Sequence, residues 1–229
     1  MKASNTLYAL LLCLISISYA TAQPGDDLIK VRSGSSLGAL PRATRFRFPQ
    51  FSEGTIYNIN HKSWVVERLN YDFYLAQMVS IINAKDTIVV KDLSEFRYFE
   101  IGSTVFIHLH NKGYYEVLES NDSLKLCVKE IYRMKRKERH ANNGYGDFND
   151  QTTAFRSNTR SDIVLEKKHL YYLAGKDDDL VLANRAHFNK LFPLHESEIK
   201  EYERTHKTKF DSQKDLQSLF EYCLQLEKK

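Results

Sequence analysis

From Phe51 onward, apolar residues recur at every second position over short runs, and polar clusters cut the runs apart. Val105, Ile107 and Leu109 alternate with Phe106, His108 and His110. Leu124, Leu126 and Val128 alternate with Ser123, Lys125, Cys127 and Lys129. A period of two predicts strands with a core face and a second face. On this reading Cys127, His108 and His110 lie on the more polar, solvated faces. Phe73, Leu75, Val79 and Ile81 oppose Tyr74, Met78 and Ile82, and both sets are apolar. That predicts a central strand covered on both sides.

The interruptions are Asn60-His61-Lys62, Asn70-Tyr71-Asp72, Asn83-Ala84-Lys85-Asp86, Gly102-Ser103, Asn111-Lys112-Gly113 and Ser120-Asn121-Asp122. Asn, Asp and Gly tolerate the backbone geometry of tight turns, so these clusters predict hairpins. Pro is absent between Pro49 and Pro193. Short strands with turn signals at roughly 8–12-residue spacing predict an antiparallel meander, sandwich or half-barrel. After the break at 134–160, Ile163-Val164-Leu165 and Leu170-Tyr171-Tyr172-Leu173 predict a hairpin turning at Lys167-Lys168. Gly175 to Asp179 predicts the next turn, leading into Leu180-Val181-Leu182.

The period then changes. Leu216, Leu219, Phe220, Cys223 and Leu224 recur at i, i+3, i+4, i+7 and i+8, the stripe of an amphipathic helix. Asp211 or Ser212 caps it. Asn184 caps a short helix carrying Phe188, Leu191 and Phe192 that stops before Pro193. A further helix is expected over 196–206, with Ile199 and Tyr202 inward. The fold class is therefore mainly β with a C-terminal segment of two to three helices.

The first residues change the picture. Lys2 precedes an apolar run from Leu7 to Ile17, followed by Ala20-Thr21-Ala22. A positive start, a short apolar core and a small-x-small site predict a cleavable secretory signal, cut between Ala22 and Gln23. The run is too short to span a bilayer, which takes about 20 apolar residues. Cys13 lies inside the run behind Leu12, which excludes a lipoprotein site. The expected organisation is a signal at 1–22, an N-terminal arm at 23–50, and a β domain at 51–183 with a flexible loop at 134–160. A helical segment at 184–229 follows. The protein is expected in the periplasm or outside the cell, with no membrane span after cleavage.

Charge adds little. With 33 Lys and Arg against 29 Asp and Glu, the chain carries a formal +4. That mild excess gives no reason to expect a nucleic-acid partner. The surviving cysteines, Cys127 and Cys223, could pair in an oxidising compartment. They could equally be separate buried thiols.

With these elements placed, the chain resembles a group of small exported β-rich proteins of Bacteroidetes. The resemblance rests on the signal, the Gly-led strand Gly54-Thr55-Ile56-Tyr57, the corner Arg68-Leu69-Asn70-Tyr71, the strand Tyr115-Glu116-Val117-Leu118 and the short helical end. It implies location and architecture and carries no functional residue across. Within it, the Arg68–Tyr71 corner is expected to be a turn with a packed tyrosine.

Candidate chemistry is sparse. His108 and His110, two apart on a strand, could share a zinc or copper ion, but no third ligand is nominated. Asp177, Asp178 and Asp179 lack the alternating spacing that wraps calcium. The basic run Arg133–Arg139 could meet an anionic surface polymer or simply be solvated. No Gly-x-Ser-x-Gly elbow or His-Glu-x-x-His motif is present. No catalytic, metal or cofactor residue is assigned. The expectation is a non-enzymatic envelope protein that binds a protein partner or a surface polymer, with an envelope hydrolase acting on glycans or peptides as the alternative.

Overall fold

The structure is a computed structural model, and it describes residues 28–31, 40–83, 86–90, 95–110, 112–138, 162–175 and 179–228. The predicted cleavage residues Ala20, Ala22 and Gln23 lie outside these, as does most of the 134–160 segment.

The strands are β1 (Leu28–Val31), β2 (Ser52–Asn58), β3 (Ser63–Asp72), β4 (Gln77–Asn83), β5 (Asp86–Val89) and β6 (Phe96–Ile101). They continue with β7 (Thr104–Leu109), β8 (Gly113–Ser120), β9 (Lys125–Glu138), β10 (Asp162–Ala174) and β11 (Leu180–Leu182). The helices are α1 (Arg42–Arg45), α2 (Arg185–Leu191), α3 (Glu196–His206) and α4 (Gln213–Leu226). All strands join one antiparallel sheet in the order β1-β10-β9-β8-β7-β6-β2-β3-β4-β5, with β11 also paired to β10. The mainly β, meander-like class expected from the alternation is what the chain adopts, with helices at its C-terminal end.

The sheet is open but curled. Phe73, just after the end of β3, meets Tyr132 of β9 with ring centroids 6.3 Å apart. Along the sheet, β3 and β9 are five strand steps apart, about 24 Å if flat. Only a rolled sheet brings the two rings together. The apolar face turned inward carries Ile56, Leu69, Tyr71, Met78, Phe99, Phe106 and Tyr114 in one buried cluster. The same face of β9 and β10 continues into a second cluster. There Leu126, Val128, Tyr171 and Leu173 pack against Phe188, Ile199, Leu216, Leu219, Phe220 and Cys223 of the helices. Asn184 caps α2 by accepting from the His187 N–H at 3.0 Å. Of the two cap candidates for α4, Ser212 takes the position and accepts from the Asp215 N–H.

Several expectations need correction. Asn70-Tyr71-Asp72 is not a turn but the buried end of β3. The turn follows at 73–76, where Asp72 Oδ1 accepts from the N–H groups of Tyr74 and Leu75, both at 3.0 Å. Phe73 to Leu75 therefore belong to that turn rather than to a strand. The strand β4 that follows lies next to the sheet's last strand and is not central. The proposed hairpin at Lys167-Lys168 does not form, because β10 runs straight through both lysines. Lys167 pairs with Glu130 and Lys168 with Glu166, so the strand absorbs two adjacent cations. At the start of the 134–160 segment, β9 continues through Glu138.

The N-terminal arm is part of the core as well. Val31 and Leu40 are buried with Leu165, and Phe46 bridges to Asp72. Asn70 fastens the arm by accepting from the Phe48 N–H at 3.1 Å and donating to the Phe48 carbonyl at 2.9 Å. Among the described residues, no helix is long and apolar enough to cross a membrane.

Candidate functional site

Two constellations on the inward face can be assessed. The first is a half-buried charged network midway along the roll. Arg47 donates through Nε and Nη2 to Glu116 at 2.6 and 2.8 Å, the two-pronged geometry that suits a carboxylate. Glu130 accepts from His169 Nε2 at 2.7 Å and pairs with Lys167 Nζ at 2.8 Å. Burial alone would raise the Glu130 pKa, but the bonds from His169 and Lys167 outweigh it and hold the carboxyl below its ordinary value. The hydrogen bond donated to Glu116 holds the Arg47 guanidinium further into its charged form. A general acid needs a raised carboxyl pKa, and Glu130 is pushed the other way. The cavity beside these groups, lined by Tyr71, Tyr114, Glu116 and Glu130, has a volume of about 10 Å³. That is too small for a substrate, since ligand pockets run to several hundred Å³.

The second constellation is an apolar trough at the far end of the roll. Its volume is about 670 Å³, and it is lined by Ile56, Val66, Ser80, Ile88, Val89 and Val90. The first half of β3 is exposed, and only its second half is buried. Trp64 and Val65 on that exposed half are 45% and 65% accessible, and Ile88 is 41% accessible. Trp64 rests edge-on against Phe96, with centroids 5.6 Å apart, and is the register partner of Ile56, a wall residue of the trough. The sheet's strand order ends at β5. Val90 donates its N–H to Met78 of β4 at 3.0 Å. In an antiparallel pair alternate residues face the neighbour, so Ile88 also turns its backbone toward β4. Thr87 and Val89 turn theirs outward, and no described strand pairs with that edge. Such an edge accepts an added strand.

The residues singled out from sequence fall elsewhere. His108 is not solvated: it is 8% accessible, packs at a tilt against Tyr114 with ring centroids 4.6 Å apart, and has Nδ1 3.3 Å from the Phe96 carbonyl. His110 is exposed just beyond β7. Among the described residues, no group of three His, Cys, Asp or Glu side chains is placed to hold a metal ion. Asp177 and Asp178 lie outside the described residues, and Asp179 is exposed ahead of β11. Arg133 is exposed on β9 opposite Glu166; Arg139 lies outside the described residues.

Cys127 is also not on a solvated face. It is fully buried with Ile107, Leu109 and Tyr115. Cys223 is buried on the other side of the sheet, with Leu126 and Val128, the neighbours of Cys127 on β9. Neither is in a disulfide. The sheet separates them, because consecutive strand residues point to opposite faces.

The trough was not read from sequence. Its signal was the consecutive apolar run Trp64-Val65-Val66, too apolar for the solvated half of a strand. No protein-family model, curated protein or solved structure matches the chain.

Proposed function

We propose that the chain is an exported binding module that takes an extended apolar segment of a protein partner into the trough beside β5. The single observation behind this reading is the trough itself, continuous with an edge strand whose Thr87 and Val89 backbone groups face outward. Apolar walls suit alternate side chains of an added strand, and the edge supplies backbone hydrogen bonds. An apolar patch of this kind marks interaction surfaces. A surface polymer would ask for more polar groups than Ser80 provides. The hydrolase alternative has little support. The inward carboxylates are held in ion pairs around a cavity of about 10 Å³.

Export rests on the signal pattern ending at Ala20-Thr21-Ala22, with Gln23 as the first residue of the working protein. Trp64 is the chain's one tryptophan, half exposed and paired with the trough residue Ile56, so its emission should respond to occupancy. Fractions of envelope protein and of envelope polymer titrated into the purified protein should behave differently. A blue shift of Trp64 with the protein fraction, abolished by Ile88→Lys, supports the reading. A shift with polymer alone would replace the partner class, and no shift with either would refute the trough as a binding surface.

A further inference from the structure

Charge is divided between the two faces of β8, β9 and β10. Side chains alternate along a strand, so the residues on the side of Cys127 and Tyr172 form the outward face, opposite the helices. Three carboxylates turn inward: Glu116 to Arg47, Glu130 to Lys167, and Glu119 to Gln217 of α4. Among the described residues, the outward positions of β9 and β10 carry Lys125, Lys129, Arg133 and Lys168 against the single carboxylate of Glu166, which pairs with Lys168 at 3.0 Å. Lys112, exposed at the turn before β8, stands beside them, since its carbonyl accepts from Lys129 Nζ at 2.6 Å.

Apolar side chains share that outward face. Leu28 of β1 lies opposite Glu166, and Leu182 of β11 lies opposite Tyr172. Directly opposed residues of neighbouring strands point the same way. The two leucines are 41% and 50% accessible. Their pairing positions are six residues apart on β10, about 20 Å of strand. Lys168 and the half-buried Tyr172 lie along the same stretch. A single exposed leucine means nothing, but two flanking a row of cations make an amphiphilic surface. A soluble polyanion has no use for the leucines, and an apolar partner has none for the cations. A bilayer surface uses both: phosphates meet the Lys and Arg heads while leucine and tyrosine enter the headgroup boundary.

We propose that the outward face of β9 and β10 docks on a membrane surface rich in anionic phospholipid, with the chain lying on the bilayer rather than crossing it. Lys129 already shows the required posture, its stem along Tyr115 and its Nζ 4.9 Å from the ring centroid. The trough lies on the inward face, so the two surfaces act independently. Each cation near an anionic surface is worth about 1 kcal/mol, roughly a fivefold gain in partition.

Flotation of the purified protein with phosphatidylcholine vesicles, with and without phosphatidylglycerol, tests the proposal. Wild type should float with the phosphatidylglycerol vesicles and stay behind with phosphatidylcholine alone. High salt should release it, a readout that needs no variant. The Arg133→Gln, Lys168→Gln double variant should lose about twentyfold in partition. Leu28→Ser with Leu182→Ser should weaken binding too, whereas Lys200→Gln, exposed on α3, should not. Equal partition to both vesicle types, partition to neither, or full binding by the double variant would overturn the proposal. So would capture by soluble polyphosphate without flotation, which would make the ligand a free polyanion.

Discussion

Gly54 provides a quantitative test of how closely the rolled sheet is packed. It lies on β2, opposite Ile101 of β6 on one side and Val66 of β3 on the other. A Cβ placed there would stand 2.6 Å from the Glu100 carbonyl oxygen, 2.9 Å from Leu69 Cδ2 and 3.3 Å from Ile101 Cγ1. The shortest contact is to backbone, so relief requires β6 to move, and β6 is held by β7 as well. Overpacking of this kind costs about 1–3 kcal/mol. Alanine recovers about 0.4–1 kcal/mol by restricting the unfolded chain. The balance for Gly54→Ala is a loss of about 1–2 kcal/mol. With a urea slope of about 2 kcal/mol/M, the midpoint should fall by roughly 0.5–1 M with the slope unchanged. Gly175 is the control. It has ordinary negative φ and nothing within 4 Å of an added Cβ, so Gly175→Ala should leave the midpoint unchanged or raise it slightly. A Gly54→Ala protein as stable as wild type, or an equal loss at Gly175, would refute the packing described for β2, β3 and β6.

Two further predictions concern titratable groups. Glu130 has its folded pKa depressed relative to its ordinary value of 4.5, so its ion pairs add stability above that pH and lose it as pH falls through the folded value. Thermal unfolding of Glu130→Gln should therefore show a shallower loss of melting temperature on the acid side than wild type; an identical acid limb would count against the network. Burial pushes the Cys223 thiol up to about 12, and Cys127 is fully enclosed. Neither should react with an alkylating reagent in the native protein, and both should react in denaturant without reductant; a mass showing no uptake there would indicate a disulfide.

The strand-and-helix outline was legible because it depends on local period. Alternation at 105–109 and 124–128 and the stripe at 216–224 fall on β7, β9 and α4. What failed was the assignment of faces and turns, which depends on the curl. Cys127 and His108 were placed on solvated faces because their neighbours are Lys125, Lys129 and His110. The sheet in fact covers both with Tyr115 and Tyr114. A turn is expected at Lys167-Lys168 because the pair divides two apolar runs, 163–165 and 170–173. Glu130 and Glu166, distant in sequence or on the strand itself, supply the matching charges. Asn70-Tyr71-Asp72 has turn composition, but Asn70 fastens the arm and Asp72 closes the turn from its strand position. The trough was hidden for the same reason: its walls come from β2, β3, β4 and β5, and the sequence does not say which strand ends the sheet.

The binding account is tested most directly in the producing cell. A photo-reactive phenylalanine analogue placed at Ile88, on the trough's edge strand, is compared with one at Lys200, exposed on α3. A trough that takes a protein partner gives one discrete cross-linked protein from Ile88 and none from Lys200. Equal cross-linking from both positions, or from Lys200 alone, would contradict it.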